Sequence, residues 1–580
     1  MRSRLIAAAT VLGLSLSQGS VGATPSAPAG AANTPSPGAQ SAASSATQSP
    51  PSPRVGVTGE PSPLRLDDAV RLALAENNDV AIAKLETQAA QEDIRAALGV
   101  ADLRLLPTIG YRHTSTPVAS SIGGAANGKV EEKRVDGAVS LTGYSLWGGG
   151  RFNVDFTSTR SLSSNTNLRL NPQIPSALGG SYTQPLLQGR AIDIERHQIL
   201  IARRAADLTD RQLEQVLMDQ LSLVEQAYWD LVFASRNLED QLAALGQARA
   251  QVESNGRQVK EGRLAAIDVI EAQTQVARFE QTVATAQQTL TAAENRLKSL
   301  MLSDRANAIW NRPLVPADPA DRAVPQMNVD EAMKLALTRR PEIGVLESTM
   351  AQNAIDQQLF ADQARPRVDL VGGFSLAGLA GTAVTQPSAL FRTDPAVITR
   401  LNELSTRASL DEIIPSVSQA SVPLPEFLIG GWADSLANIA RRRYPTGTVQ
   451  LQMEVPFRNR TAKANLARSR IEQTQLERQR QQLEQAIEAE VRNALQAVES
   501  SNQRLASAGT ARRNAQEQYD SERRRFDSGL STVFLLLDRQ TSLVTAQTLE
   551  LRARADLNQA IAVFDRAIGA TLQQHNVRLQ

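Results

Sequence analysis

Two stretches of this chain are too long and too regular for a compact domain. From Arg190 to Glu261, and again from Thr461 to Asp527, about seventy residues pass with almost no glycine or proline. Apolar residues recur in the first at steps of three and four: Leu213, Leu217, Leu221, Val224, Tyr228 and Leu231. Leu483, Ile487, Val491, Leu495 and Val498 do the same in the second. That spacing predicts amphipathic helices, and at ~1.5 Å per residue each is roughly 100 Å long. Each is entered through a polar–apolar alternation that ends on a proline. The first entry reads "SYTQPLLQGR" with Pro185, and the second "QLQMEVPFRNR" with Pro456. The chain therefore runs a strand into a proline and then into a very long helix, twice.

The rest of each half repeats as well. "LRLDDAVRLALAENNDVAIAK" at 64–84 resembles "MNVDEAMKLALTRRPEIGVLE" at 327–347, with Leu66-Asp67-Asp68-Ala69 falling on Val329-Asp330-Glu331-Ala332. Each opening helix runs into a proline and a second alternating segment, "LLPTIGYRH" with Pro107 and "ARPRVDLVGGFSL" with Pro366. "EGRLAAIDVIEAQ" at 261–273 aligns without gaps on "SGLSTVFLLLDRQ" at 528–540, pairing Gly262 with Gly529. Matches in the same order predict an internal duplication. The units are 64–305 and 327–572, with a linker at 306–326 and a tail at 573–580. Each unit reads helix, strand, loop, strand, long helix, turn, helix. The expected helices are 67–105, 190–261 and 266–304, then 329–364, 461–527 and 531–572.

Residues 1–23 have the charged start, short apolar run and small-residue end of a secretory signal peptide. Residues 24–63 are rich in proline, alanine and serine and are expected to be disordered. The chain has no cysteine, so neither a disulfide framework nor a thiol-linked lipid anchor is available. Its 61 basic and 60 acidic residues give a net charge of +1, which supplies no reason to expect nucleic acid as a partner. The three histidines, His113, His197 and His575, are far apart. No metal, cofactor or catalytic constellation is marked, and the chain reads as a non-enzyme.

The alternating segments decide the class. "TGTVQLQMEV" sets Val449, Leu451, Met453 and Val455 on one face and Thr448, Gln450, Gln452 and Glu454 on the other. Strands of ~9–11 residues with one apolar and one polar face, in an exported chain, suit a membrane β-barrel whose polar side lines a lumen. About four such strands per chain cannot close a barrel, and lipid does not tolerate an open sheet edge. Several chains must supply the strands. Pro107, Pro185, Pro366 and Pro456 are then the junctions between barrel and helices, since a proline lacks the N–H that continues a ladder. A further hairpin at 134–161 either enlarges the barrel or lies outside it. The insert at 377–440 is expected to be irregular.

With these features in order, the chain resembles the TolC-like outer-membrane efflux proteins over about 64–572. The resemblance rests on the duplicated helix openings, the "LLPTIG", "QPLLQG" and "VPFRNR" junctions, and the turns "GRLAAIDVIEAQ" and "GLSTVFLLLDRQ". It implies a mostly α fold with a membrane β-barrel portion: a homotrimer whose shared barrel, usually of twelve strands, continues into a periplasmic α-helical barrel. It implies residence in the outer membrane of a Gram-negative bacterium. The implied activity is passive export of small toxic compounds, or of polypeptides, received from an inner-membrane RND, ABC or MFS transporter through a periplasmic adaptor. Carried over residue by residue, it places a channel constriction at Asp268, Glu271 and Asp538, and adaptor-contacting tips at Gly262, Arg263, Gly529 and Leu530. A fourth acidic position of the family is occupied here by Leu535, and a Tyr–Arg latch falls on Phe526 and Ser531. The competing reading is an exported coiled-coil scaffold or adhesin without channel activity.

Overall fold

The computed structural model describes residues 54–119, 123–125, 127–319, 322–384, 395–411 and 423–577, all within one compact unit. The signal peptide and most of the leader lie outside the described residues. The last part of the leader does not follow the expectation of disorder. Strand β1 (Ser62–Leu64) pairs in parallel with Leu314–Pro316 from the linker, and Arg54 bonds Glu294 at 2.6 Å.

Each opening helix is broken once. Helix α1 (Leu66–Glu76) and α2 (Asn78–Leu98) are separated at Asn77, which is extended and whose Oδ1 accepts from the backbone of Asp79 and Val80. That side chain caps α2 while its Nδ2 donates to Leu300 O at 2.7 Å, so the break is also a tertiary tie. Four strands follow: β2 (Arg104–Pro117), β3 (Lys129–Tyr144), β4 (Arg151–Ser163) and β5 (Leu170–Pro185). Then come the long helix α3 (Ile194–Lys260) and its return, α4 (Ala266–Met301).

The second half starts after β6 (Leu314–Pro316) with α5 (Val329–Arg339) and α6 (Pro341–Gln363). Here Pro341 stands at the first helical position and holds Arg340 in the extended region, which breaks the helix. Strand β7 (Arg367–Ala383), α7 (Pro395–Arg407), α8 (Trp432–Ala440) and β8 (Tyr444–Glu454) follow. The half closes with the second long helix α9 (Arg460–Asp527), its return α10 (Val533–Ala567) and the short α11 (Thr571–Gln574). The insert expected to be irregular thus carries two helices and the end of a strand; its residues 385–394 and 412–422 lie outside the described residues.

The helices build the same core twice. Ala69, Val70 and Ala73 of α1 pack with Leu221, Tyr228 and Leu231 of α3 and with Leu290, Leu297 and Met301 of α4. Ala332 and Ala336 of α5 pack with Ile487, Val491 and Val498 of α9 and with Leu557, Ile561 and Phe564 of α10. Small residues on the short helices let them lie close against the long ones. The long helices α3 and α9 each contact an upper short helix (α2 or α6) and a lower return helix (α4 or α10).

The main sheet has six strands in the order β2-β3-β4-β5-β7-β8, every neighbour antiparallel. The sheet thus holds the expected four strands per chain and the further hairpin whose place was left open. The 134–161 hairpin is part of the sheet, so the first half contributes four strands and the second two. Among the described residues no helix is long and apolar enough to cross a membrane.

Candidate functional site

Register across the sheet sorts its residues onto two faces. Val139 lies opposite Phe156, Phe156 opposite Leu178, Leu178 opposite Leu376, and Leu376 opposite Pro445. Following the same parity, Leu105, Ile109 and Tyr111 of β2 join that face at one edge, and Val449, Leu451 and Met453 of β8 at the other. Leu376 is buried, but toward the sheet edges the face is left bare: Ile109 is 86% exposed and Val449 80%.

The opposite face is polar and laced across strands. Thr159 Oγ1 donates to Asp136 Oδ1 at 2.8 Å, Ser161 Oγ to Glu132 Oε1 at 2.6 Å, and Ser140 Oγ to Asn153 Oδ1 at 2.9 Å. Both edge strands, β2 and β8, are exposed along their whole length. An apolar face of this size, with two unpaired edges, is not a stable surface in water.

Three of the four prolines lie at or near a strand end. Pro185 is the last residue of β5, Pro366 precedes β7, and Pro456 lies two residues beyond β8. Pro107 instead falls inside β2, opposite Val139, so the helix-to-strand change occurs before it. Within one chain β2 is an edge strand, where a proline is tolerated.

The two helical turns are the same motif. In the first, Gly262 has φ +73°, its N–H donates to Val259 O, and Arg263 N–H reaches back to Gln258 O. In the second, Gly529 has φ +75°, its N–H donates to Phe526 O, and Leu530 N–H to Arg525 O. These are Schellman caps, and the left-handed residue is glycine in both. Beside them lie exposed apolar side chains, Ile267 and Ile270 at one turn and Leu530 and Phe534 at the other.

The acidic residues take different positions. Asp268 is half-buried and Oδ2 accepts from the Ala265 N–H at 2.9 Å, so one oxygen caps the start of α4. Glu271 is half-buried one turn further along, and Asp538 is exposed on α10. Among the described residues none of the three is in an ion pair. The structure brings their helices together: Ala272 of α4 shares a buried cluster with Phe526 of α9 and Val533, Leu536 and Leu537 of α10. Gln275 Nε2 also donates to Thr541 Oγ1 at 2.9 Å. Phe526 is therefore a core residue joining the two hairpins, and Ser531 bonds Glu522 of its own hairpin.

A second site was invisible in the sequence. Glu225, fully buried on α3, receives Arg322 Nη1 at 2.8 Å and lies 2.6 Å from His575 Nε2. Arg322 also reaches Asp565 Oδ2 at 3.3 Å. One guanidinium thus serves two buried carboxylates, from partners 97 and 243 residues away in sequence. Burial opposes ionisation of Glu225, but His575 and Arg322 together hold its pKa below the ordinary value. Burial wins at Asp565, whose pKa is pushed up to about 6 in spite of Arg322.

A raised folded-state pKa stabilises below the unfolded value, and that contribution is lost as pH rises through about 6. Asp565→Asn should therefore stabilise the fold at pH 8 by up to about 1–3 kcal/mol and raise the apparent Tm accordingly. The gain should shrink toward zero near pH 4, which thermal melts of both proteins across that range would read. A gain independent of pH would refute the burial account.

Residues 418–570 match the outer membrane efflux protein family model. The chain is similar to the outer membrane efflux proteins. No curated protein matches the sequence. Among solved structures, the outer-membrane channel OprN is 16% identical with a TM-score of 0.57, covering 87% of this chain and 90% of OprN. The CmeC outer membrane channel of Campylobacter jejuni is 12% identical, TM-score 0.56, covering 87% and 86%. The MtrE outer membrane channel of Neisseria gonorrhoeae, solved in its open state, is 15% identical, TM-score 0.52, covering 88% and 89%. At such identities the likeness is one of fold. Helices and sheet together are similar in fold to these outer membrane channels.

Proposed function

We propose that this chain is the outer-membrane channel of a tripartite export system. It is a passive conduit in which several copies close one β-barrel above a periplasmic helical tunnel. The observation that carries the reading is the sheet itself: a predominantly apolar face, a hydrogen-bonded polar face, and two bare edges. Closure by further copies removes the edges and turns the apolar face to lipid. Strand β2 leaves the helices and β8 returns to them, so β8 of one copy meets β2 of the next antiparallel. A register that sets Arg104 against Glu454 sets Ile109 against Val449 and keeps both faces continuous.

In a homotrimer, six strands per chain give eighteen, a wider barrel than the twelve that the family resemblance implied. The matched cores, turns and strand–helix junctions support an internal duplication onto which the 134–161 hairpin has been added. The tips at Gly262, Arg263, Gly529 and Leu530, with the exposed Ile267 and Phe534 beside them, suit docking to a periplasmic adaptor that delivers cargo from an inner-membrane transporter. Small toxic compounds are the favoured cargo, with polypeptides the second class.

Around a threefold axis, Asp268, Glu271 and Asp538 would gather into acidic rings that favour cations. Single-channel recording in a planar bilayer tests this. Asp268→Asn, Glu271→Gln and Asp538→Asn together should abolish cation selectivity while preserving the conductance steps. Unchanged selectivity would remove these residues from the constriction, and no conductance from a detergent-free soluble protein would overturn the channel.

A further inference from the structure

The apolar face of the sheet does not end the same way at its two rims. At the helix end, the strand cations Arg104, Arg151 and Arg367 all alternate onto the polar face by register. At the loop end, cations stand on the apolar side. His113 lies opposite Lys133, one alternation beyond Tyr111 and Val135, and Arg160 lies opposite Val135. All three are exposed. Glu131, the acid on the same side, is already matched by Lys129 at 2.5 Å.

Arg160 is one of the residues lining a groove of about 620 Å³, together with Ile109, Val135, Val139, Phe156 and Trp432, and His113 and Lys133 follow Tyr111 and Val135 on the same face by register. That volume is within the range of roughly 300–1,000 Å³ that holds sizeable ligands. Trp432 comes from α8, which lies against the small residues of this rim. Its Nε1 donates to Ser158 Oγ at 3.0 Å, and the helix packs so tightly on Gly378 that a Cβ there would meet Ser435 O at 2.1 Å. Helix α8 therefore walls one side of the groove, and an aromatic with a polar tip stands at the boundary between apolar belt and charged rim.

We propose that this groove binds a phosphorylated, acylated lipid of the outer leaflet. An acyl chain lies against Ile109, Val139, Phe156 and Trp432, and the phosphate is held by Lys133 and Arg160 with His113 beside them. The inference rests on the barrel reading, because only then does the apolar face meet lipid. Cations over an apolar groove, at the loop rim alone, select a ligand with anionic head and hydrocarbon tail on the leaflet farthest from the helices. In the closed ring, Arg441, Arg442 and Arg443, which precede β8, fall next to the neighbouring copy's β2 and extend the same charged rim.

Native mass spectrometry of the delipidated, detergent-solubilised full chain tests the proposal. The titrants are bis-phosphorylated lipid A, its dephosphorylated form, phosphatidylethanolamine and inorganic pyrophosphate. Bis-phosphorylated lipid A should be retained, and the dephosphorylated form and phosphatidylethanolamine should bind about tenfold or more weakly. Lys133→Gln with Arg160→Gln should remove that preference, and Trp432→Ala should weaken retention. Arg134→Gln on the polar face should change nothing. Equal retention of all lipids, insensitivity to the variants, or pyrophosphate binding as tightly as the lipid would overturn the site. A protein that stays soluble without detergent would instead refute the barrel reading beneath it.

Discussion

Phe374→Arg should abolish assembly in the membrane, whereas Ser375→Arg, one residue along the same strand, should be tolerated. Phe374 is half exposed on the apolar face, flanked across β7 by Gly180 and Gly447, neither of which has a side chain to shelter it. An arginine facing lipid near the bilayer midplane costs ~2–4 kcal/mol, and each added copy repeats it. Ser375 points to the polar face between Gly179 and Thr446, where an arginine meets water in the lumen. Membrane fractionation and heat-modifiable mobility of the two variants would read the difference. Equal behaviour of both would mean that the faces are not assigned to lipid and lumen.

Phe526→Ala has the second-largest expected effect. The ring is 8% exposed in the cluster that joins both hairpin turns. Removing it leaves a cavity beside Ala272 and Val533, at a cost of about 3 kcal/mol. Phe534→Ala, at a 64% exposed position on the same tip, should change stability by less than ~0.5 kcal/mol. Because the cluster ties the start of α4 to α9 and α10, the first variant should also loosen the tips and raise the closed-state conductance. Normal stability and normal conductance in Phe526→Ala would show that the hairpins are held by something else.

Local chemistry made much of this fold legible. The long helices were readable because their faces repeat and their ends carry left-handed glycines, so Gly262 and Gly529 marked turns that the structure places where expected. Strands β7 and β8 were readable from clean alternation. Strand β5 was weak in sequence because glycine, proline and serine fill it where α8 packs close. The helix breaks left faint traces, Asn77 as a cap and Pro341 at a first helical position, which the stronger periodicity around them masked. The clasp at Phe526 and the Glu225–Arg322–Asp565 site left none. Their partners meet only after folding, and nothing local distinguishes an arginine that will reach buried carboxylates from a solvated one. The family resemblance makes Asp268 a lumen acid, yet one of its oxygens caps a helix, a duty that spacing to Glu271 does not reveal.

Barrel closure by neighbouring copies is the claim on which the rest depends, and the absence of native cysteine makes its test clean. Cysteines at Ile109 and Val449 should form a disulfide between β2 of one copy and β8 of the next, since directly opposed positions on antiparallel strands hold their Cβ atoms about 4.5–5.5 Å apart, close to bridging range. Non-reducing electrophoresis should show covalent dimers and trimers that collapse with reductant. Cysteines at Thr108 and Val449, on opposite faces, should give none. A doubly substituted chain that stays monomeric under oxidation, in detergent and in membranes alike, would contradict the account.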